Sequence, residues 1–183
     1  MSYLPNEGTS RTPLPLGKMQ VIGTPWKKCA FDIAGPLPLT DKKNRYILSL
    51  VDYATRWPEC VPMKAATTEE VTKALLSIFS RMGIPEETLS DNAQAFVSDA
   101  MNETMKLLGI EQKNNTPYHS QSNGLCERFI GTIKKIIGKL SSDHPTKWDQ
   151  MLDTAMFAYR EIPQASTKFS PFTLMFGRRL EDQ

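Results

Sequence analysis

The sequence predicts an α/β domain in which a mixed central sheet of five strands is flanked by helices. Three apolar runs follow one another early in the chain, and the short connection between the second and third favours an antiparallel meander. Helical and strand patterns then alternate, an order typical of a sheet that also contains parallel strands. The helical patterns each carry one apolar face, so we expect the helices to pack against the sheet.

The strands are predicted from apolar, β-branched and aromatic runs bounded by turn residues. They cover residues 26–33, 46–51, 59–63, 88–89 and 110–113. Gly35 and Pro36 close the first of them. Helices are predicted after Thr67, which has N-cap character, over residues 98–108, and over 148–160.

A further helix, lasting to about Leu140, carries the most informative pattern. A polar turn at residues 117–122 leads into it, and its apolar face is expected to comprise Leu125, Phe129, Ile133, Ile136 and Leu140. Glu127 lies off that face, and Gly131 and Lys134 follow it at i+4 and i+7 on the same side. A second apolar seam fits either the core or a contact between two copies of the chain; it comprises Cys126, Ile130 and Ile137.

The composition fits one domain with one sizeable core. Hydrophobic residues make up 40% of the 183, and the formal net charge of +2 does not by itself indicate a nucleic-acid partner. Residues 1–24 are expected to form an extended arm or linker, 25–180 the core and 181–183 a tail. The three cysteines are far apart in the sequence, which favours reduced thiols and offers no zinc site. No signal peptide or membrane-spanning run is evident.

Three carboxylates stand out. Asp32 and Asp91 each lie at or near the end of an apolar run, and 35 residues separate Asp91 from Glu127. Each has an ordinary structural alternative: Asp32 starting a turn, Asp91 capping a helix, or Glu127 forming a surface ion pair with Arg128 worth about 0.3–0.5 kcal/mol. Asp52 also ends a predicted strand, and we interpret it as structural.

Several motifs occur in a fixed order along the chain, from about Pro25 to Leu180. They are Asp32-Ile33-Ala34-Gly35-Pro36-Leu37-Pro38, Val51-Asp52-Tyr53-Ala54-Thr55-Arg56-Trp57-Pro58, Ser90-Asp91-Asn92, Tyr118-His119-Ser120-Gln121-Ser122-Asn123-Gly124 leading to Glu127-Arg128-Phe129, and Ser170-Pro171-Phe172 before Phe176-Gly177-Arg178. With the 35-residue spacing, this order resembles the catalytic core of retroviral and long-terminal-repeat retrotransposon integrases, especially the Ty3/gypsy type. The resemblance implies an RNase H-like fold.

The resemblance also implies an activity, a DDE-type polynucleotidyl transfer that trims the 3′ ends of retroelement DNA and joins them to target DNA. Asp32, Asp91 and Glu127 would be both the catalytic residues and the ligands of two Mg²⁺ or Mn²⁺ ions. Asp32 would bridge the ions, with Asp91 on one and Glu127 on the other. Carboxylates suit these hard cations, and two such ions activate the nucleophile and neutralise the leaving oxygen.

The expected partners follow from the same resemblance. They are retroelement ends and target DNA, a second copy of the core and a higher multimer in the full-length protein, with no membrane and no small-molecule substrate. Residues expected to contact DNA are Lys134, Asn123, Gln121, His119, Tyr118 and Arg128. Gln121 and Asn123 would belong to a loop that resembles the family's mobile active-site loop. The expected location is the nucleus, after a virus-like particle or the cytoplasm.

Some residues depart from the family pattern. Ala93 replaces a usual Gly, Ile130 and Gly131 replace a usual Asn and basic residue, and Ser120 replaces a usual Pro. The zinc-binding domain that precedes such cores is also missing, so a trimmed fragment or a shorter host-derived relative is expected. These departures favour the alternative of a domesticated DNA-binding or protein-interaction module with weak or no catalysis. A general RNase H-like nuclease is disfavoured because the motifs match integrases specifically.

Overall fold

A computed structural model describes residues 23–91, 93–114 and 120–179, without the side chains of 94, 114 and 120–123. Its five strands are β1 Lys28–Ala34, β2 Tyr46–Asp52, β3 Pro58–Met63, β4 Glu87–Ser90 and β5 Glu111–Asn114. They form one sheet in the order β3-β2-β1-β4-β5. The first three strands pair antiparallel, and β4 and β5 pair parallel to β1 and β4. The predicted meander and mixed sheet are therefore confirmed.

Six α-helices and one 3₁₀ helix accompany the sheet in the described part of the chain. They are α1 Thr68–Met82, α2 Gln94–Val97, α3 Asp99–Leu107, α4 Ser120–Leu140, the 3₁₀ helix Pro145–Gln150, α5 Leu152–Glu161 and α6 Pro171–Phe176. Thr67 caps α1 as predicted, accepting a hydrogen bond from the N–H of Glu70. None of the helices in these ranges is long and apolar enough to cross a membrane.

Both faces of the sheet are covered by helices, and successive side chains of β1 point to opposite faces. Cys29 and Phe31 pack into a core with α1, α2 and α3, whereas Ala30 and Ala34 pack into a second core with α4 and α5. Asp32 shares the face of Ala30 and Ala34, because its position also differs from theirs by two. The polar residue therefore faces the long helix α4.

Helix α4 approaches this face closely because the strand residues beneath it are small. The Cys126 thiol lies 3.2 Å from the Ala30 carbonyl oxygen, to which it donates, and Ser49 is the partner of Asp32 across β1 and β2. Phe129 and Ile133 are also buried in this core. The close approach places α4 over the central strand of the sheet near Asp32.

The apolar face of α4 differs from the predicted one. Cys126 and Ile137 are buried, Ile136 is only partly buried, and Leu140 is 46% exposed. The seam of Cys126, Ile130 and Ile137 therefore belongs to the chain's own core rather than to a contact between copies. At about 100° per residue the predicted stripe spans only about 80° of the helix; the buried face extends further round it to Cys126 and Ile137, and Leu140 is the last residue of the helix.

Three further expectations about helices were wrong. Helix α4 begins at Ser120, inside the predicted polar turn. The predicted helix over 148–160 is two segments, broken at Met151 between the 3₁₀ helix and α5, and its Phe157 is 58% exposed. Helices α2 and α6 were not predicted; each is too short to show a periodic pattern. The arm at 1–22, Asn92, the segment 115–119 and the tail from 180 lie outside the described residues.

Candidate active site

Asp32 lies within β1 rather than at the start of a turn, so the turn alternative is wrong. One carboxylate oxygen accepts a hydrogen bond from the Ile33 N–H at 2.8 Å, and the side chain is half-buried. The pKa of Asp32 is raised from 3.8 to about 6, chiefly because burial disfavours the charged form. The charges of Asp91 and Glu127 raise this pKa further, and the ammonium of Lys134 lowers it.

Asp91 follows β4, the parallel neighbour of β1, so both aspartates lie toward the same end of the sheet. Its Oδ1 accepts a hydrogen bond from the Ala93 N–H at 3.0 Å, which closes a local turn. Ala93 is the N-cap of α2 and no side chain caps that helix, so Asp91 is not the helix cap of the structural alternative. Ala93 has φ −57° and ψ 139°, an extended conformation open to any residue. The absence of the usual glycine therefore introduces no backbone strain at position 93.

Glu127 and Lys134 are exposed on α4, on the side away from its buried face. Between them, a Cβ added at Gly131 would have no atom within 4 Å, so this part of the helix surface is open. In the described structure Glu127 makes no ion pair with Arg128, and the Arg128 guanidinium instead lies over Gly124. The surface ion-pair interpretation of Glu127 is therefore wrong.

The structure brings Asp91, Glu127 and Lys134 within electrostatic range of Asp32. It does not draw the carboxylates into a closed ligand set: no three acidic, histidine or cysteine side chains of the described residues could hold a metal ion as placed. The donor chemistry nevertheless fits a hard divalent cation, because three carboxylates repel one another across an open face and only one ammonium compensates them.

Asp52 has a different environment from the other three carboxylates. It is fully buried, and its Oδ2 accepts hydrogen bonds from the Thr55 N–H at 2.9 Å and the Thr55 hydroxyl at 2.6 Å. The side chain thereby closes the turn between β2 and β3. These contacts support the structural interpretation of Asp52.

The expected DNA contacts are only partly described. Tyr118 and His119 lie outside the described residues, and Gln121 and Asn123 lie in the first turns of α4 rather than in a loop, with their side chains outside the description. The remaining two expected contacts, Arg128 and Lys134, are both exposed on α4.

A feature that the sequence did not reveal is the anchoring of the β1–β2 loop, residues 35–45, which begins three residues after Asp32. Asp149 Oδ2 accepts hydrogen bonds from the Thr40 hydroxyl at 3.1 Å and the Asn44 amide at 2.8 Å. The Trp148 indole donates to the Pro38 carbonyl oxygen at 2.7 Å. The 3₁₀ helix thus fixes the loop, through contacts more than 100 residues apart in sequence that no local pattern indicates.

Comparisons with known proteins identify the family of this chain. Residues 24–120 match the family described as "Integrase core domain". The chain is 35% identical over 153 residues to the Pro-Pol polyprotein of feline foamy virus, covering 84% of the chain and 13% of that protein. It is 28% identical over 167 residues to the Gypsy retrotransposon integrase-like protein 1 of Rattus norvegicus, covering 90% of the chain and 32% of that protein.

Solved structures give the same fold. The HTLV-2 integrase catalytic core domain in complex with magnesium superposes with a TM-score of 0.68 at 21% identity, covering 82% of this chain and 97% of that one. A chain of the simian T-cell lymphotropic virus intasome in complex with PP2A regulatory subunit B56 gamma superposes with a TM-score of 0.74 at 23% identity, covering 85% and 56%. The fold is thus that of the integrase catalytic cores, the RNase H-like arrangement that the sequence predicted.

The chain belongs to the integrase core domain family. It spans only about an eighth to a third of the length of the curated relatives named above, which are 13% and 32% covered.

Proposed function

We propose that this chain is a polynucleotidyl transferase core of the DDE integrase class, acting on the ends of retroelement DNA and on target DNA. The observation that carries the proposal is that the charges of Asp91, at a strand end, and of Glu127 and Lys134, on a helix, all act on the carboxyl of Asp32 within β1. Membership of the integrase core domain family supports it. Rigid elements would keep these side chains fixed as DNA enters.

Asp32, Asp91 and Glu127 are the residues that would hold Mg²⁺ or Mn²⁺, two ions per site in the two-metal mode. When bound, such ions activate the attacking oxygen and neutralise the leaving oxygen of a phosphodiester. A structure neighbour, the HTLV-2 catalytic core, is a complex with magnesium. The raised pKa of Asp32, caused first by burial and then by its acidic neighbours, marks the carboxylate that gains most from a bound cation.

The chain's own cations would position the DNA. Lys134 shares the open face of α4 with Glu127 and supplies a point charge for a phosphate next to the carboxylates. Gly131, between the two, leaves room for a sugar-phosphate strand to approach the helix. Gln121 and Asn123, on the first turns of the same helix, are proposed to contact the DNA end, together with Tyr118 and His119.

The test is disintegration of a branched DNA substrate, with Mg²⁺ and with Mn²⁺, by the wild type and by Asp91→Asn and Glu127→Gln. Loss of joining in both variants, with unchanged folding, is the expected result. The exposed carboxylate of Glu86 offers a control, Glu86→Gln, expected to keep full activity. Joining that survives in either triad variant would overturn the assignment.

A second candidate is a domesticated DNA-binding or protein-interaction module, favoured by the open arrangement of the three carboxylates in the described structure. This candidate predicts that the wild type does not join DNA and that calorimetry detects no Mn²⁺ binding that depends on Asp91 or Glu127. Binding of Mn²⁺ that both variants abolish would count against the module, even where joining is weak.

Self-association and location are proposed by analogy with the family. The HTLV-2 core has been solved in a dimeric and a trimeric form. A dimer of this core would use surface apolar residues rather than the buried seam of α4, and Leu76 and Phe157 are 44% and 58% exposed. Sedimentation velocity at high concentration tests this, and a single monomeric species would contradict it. Action on target DNA places the protein in the nucleus.

A further inference from the structure

Arg56 occupies a backbone position that does not suit an arginine. It lies in the turn between β2 and β3 with φ 64°, in the left-handed region that favours glycine. The turn itself is closed by the Arg56 N–H, which donates to the Asp52 carbonyl oxygen at 3.0 Å, a contact that any residue but proline makes. The backbone therefore gives no reason for an arginine here, and the reason must lie in its side chain.

The side chain of Arg56 is half-buried, and within the described ranges no carboxylate lies within ion-pair distance of its guanidinium. Its Nε donates to the Ser166 hydroxyl at 3.3 Å. The neighbouring carboxylate of Asp52 is engaged by Thr55. Burial lowers the pKa of Arg56 most, and the nearby positive charge of Arg128 also lowers it, whereas Tyr53, Asp52 and Tyr159 raise it. The charge of Arg56 is therefore only partly compensated, and among the described residues it has no ion-pair partner of the kind that half-buried charges normally have.

Arg128 adds a second guanidinium to the same region. Gly124 makes this possible, since a Cβ at that position would lie 3.0 Å from Nη1 of Arg128. Tyr159 lies near both arginines: burial raises the pKa of its hydroxyl, and the charges of Arg56 and Arg128 each lower it. Two like charges and a phenol thus lie within electrostatic range of one another beside α4.

We propose that Arg56 and Arg128, the arginine pair, together bind one backbone phosphate of DNA, which rests on the function proposed above. Guanidinium groups present planar pairs of N–H donors that match phosphate oxygens. A phosphate would neutralise two cations that otherwise repel each other. Arg128 directly follows Glu127, about 100° further round the helix, so a strand held at the carboxylates comes within reach of it.

Space beside the pair suits the rest of a nucleotide. Arg56, Tyr53 and Ser166 line a cavity of about 640 Å³, whose remaining wall includes apolar groups of Phe169 and Leu174. The acidic residues of the lining are each paired with a lysine: Glu86 with Lys27, Glu87 with Lys28 and Glu111 with Lys113. Arg56 makes no ion pair among the described residues, so it is the part of the lining at which an anion would bind.

The test measures binding of the branched DNA substrate by fluorescence anisotropy in EDTA, over a series of NaCl concentrations, so that neither metal nor joining is required. Arg56→Gly relieves the backbone strain and removes the charge. It is expected to weaken binding about tenfold at low salt and to reduce the slope of log K against log [salt] by about 1. Arg56→Lys keeps the charge and is expected to restore most of the affinity and the slope.

The matched control is Lys43→Gly, which removes an exposed cation at φ 68°, on the chain segment before β2. It is expected to change affinity by less than about twofold, the effect of one screened surface charge. Thermal melting of each variant verifies folding. Equal losses in Arg56→Gly and Lys43→Gly would overturn the proposal, because diffuse attraction would then explain both.

A double-mutant cycle tests whether one phosphate is shared. Arg128→Gln alone is expected to weaken binding as much as Arg56→Gly does. The double variant is expected to lose little more affinity than either single variant, because one arginine without the other no longer holds the shared phosphate. Losses that multiply would show two separate contacts and overturn the shared site.

A readout without DNA separates this inference from the proposed activity. Inorganic pyrophosphate in EDTA is expected to raise the melting temperature of the wild type more than that of Arg56→Gly. Equal shifts would overturn the phosphate site whether or not the chain joins DNA. Disintegration that fails while the arginine-dependent binding persists would instead refute the proposed catalysis alone.

Discussion

Asp32 is held in a position that disfavours its charged form. It lies on the face of β1 that packs beneath α4, and its carboxyl is within electrostatic range of Asp91 and Glu127. Burial and these acidic neighbours raise its pKa to about 6, so the folded chain binds a proton there more tightly than the unfolded chain does. The wild type therefore loses stability as the pH rises from about 4 to about 6.

Asp32→Asn is expected to stabilise the metal-free chain at pH 7.5 by about 1 kcal/mol, after allowance for solvent screening at this half-buried site. The gain should shrink to a small part of this near pH 4, where the wild-type carboxyl is protonated in the folded chain and about half protonated in the unfolded chain. Urea unfolding in EDTA at the two pH values measures it. The amide oxygen can still accept from Ile33 N–H, so a loss of stability at pH 7.5 would contradict the assigned cause.

Asp52→Ala is expected to destabilise the chain by about 2–3 kcal/mol, because Thr55 would lose a charged acceptor for both its N–H and its hydroxyl in a fully buried turn. Asp52→Asn keeps one acceptor oxygen and should lose less. Denaturant unfolding gives both values. Joining by folded Asp52→Asn should persist; if it disappeared while Mn²⁺ binding also failed, Asp52 would belong to the metal site.

At the scale of elements, Glu59 connects β3 to two helices. It is 7% exposed, accepts from the Trp57 indole at 2.9 Å and from Arg160 of α5 at 2.9 Å, and pairs with Arg81 of α1 at 3.3 Å. Arg160 also lies over the Trp57 ring, 4.1 Å from its centroid. These contacts hold helices from both faces of the sheet to its edge strand.

Arg160→Ala is expected to lower the free energy of unfolding by about 2–3 kcal/mol, because it leaves a buried carboxylate with weaker compensation. The double variant with Glu59→Ala should lose less than the sum of the two single losses. Lys73→Ala, which breaks an exposed pair with Glu69, is the control and should leave stability nearly unchanged, because water screens the pair. Additive losses in the double variant would show that the two charges do not interact.

The β1–β2 loop depends on a glycine at its first residue. Gly35 has φ 146°, and a Cβ there would lie 2.5 Å from Cδ1 of Tyr46 and 2.8 Å from the Arg45 carbonyl oxygen. Gly35→Ala is therefore expected to cost about 2 kcal/mol or more in unfolding free energy. Gly138→Ala, in α4 with nothing within 4 Å of the added carbon, should instead stabilise by about 0.5–1 kcal/mol. Thermal and urea unfolding of the two variants tests whether Gly35→Ala lowers and Gly138→Ala raises the free energy of unfolding.

At the scale of the whole molecule, metal binding should couple to global stability. Mg²⁺ at about a hundred times its dissociation constant would stabilise the folded chain by about 2.7 kcal/mol, since the unfolded chain has no assembled site. The melting temperature of the wild type should therefore rise with Mg²⁺, and that of Glu127→Gln should rise much less. Glu86→Gln should respond like the wild type. Equal shifts in all three would show that the carboxylates do not form the site.

Much of the architecture was determined by the sequence alone. The strands, the N-cap at Thr67 and the long helix through Glu127 follow from periodicity and turn residues, which act over a few positions and so appear in the chain itself. The 35-residue spacing and ordered motifs gave the family, and with it the candidate carboxylates. Helix boundaries near Ser120 and Met151 were missed because packing decides them.

Only the tertiary structure decided which groups meet. It showed that the seam of α4 is core, that Ala93 needs no special backbone conformation, and that Asp149 anchors the loop after Asp32. Arg56 and Arg128 are 72 positions apart in sequence, and only the folded chain brings their charges within range of each other. Contacts of this kind depend on long-range packing, which no local pattern of residues records.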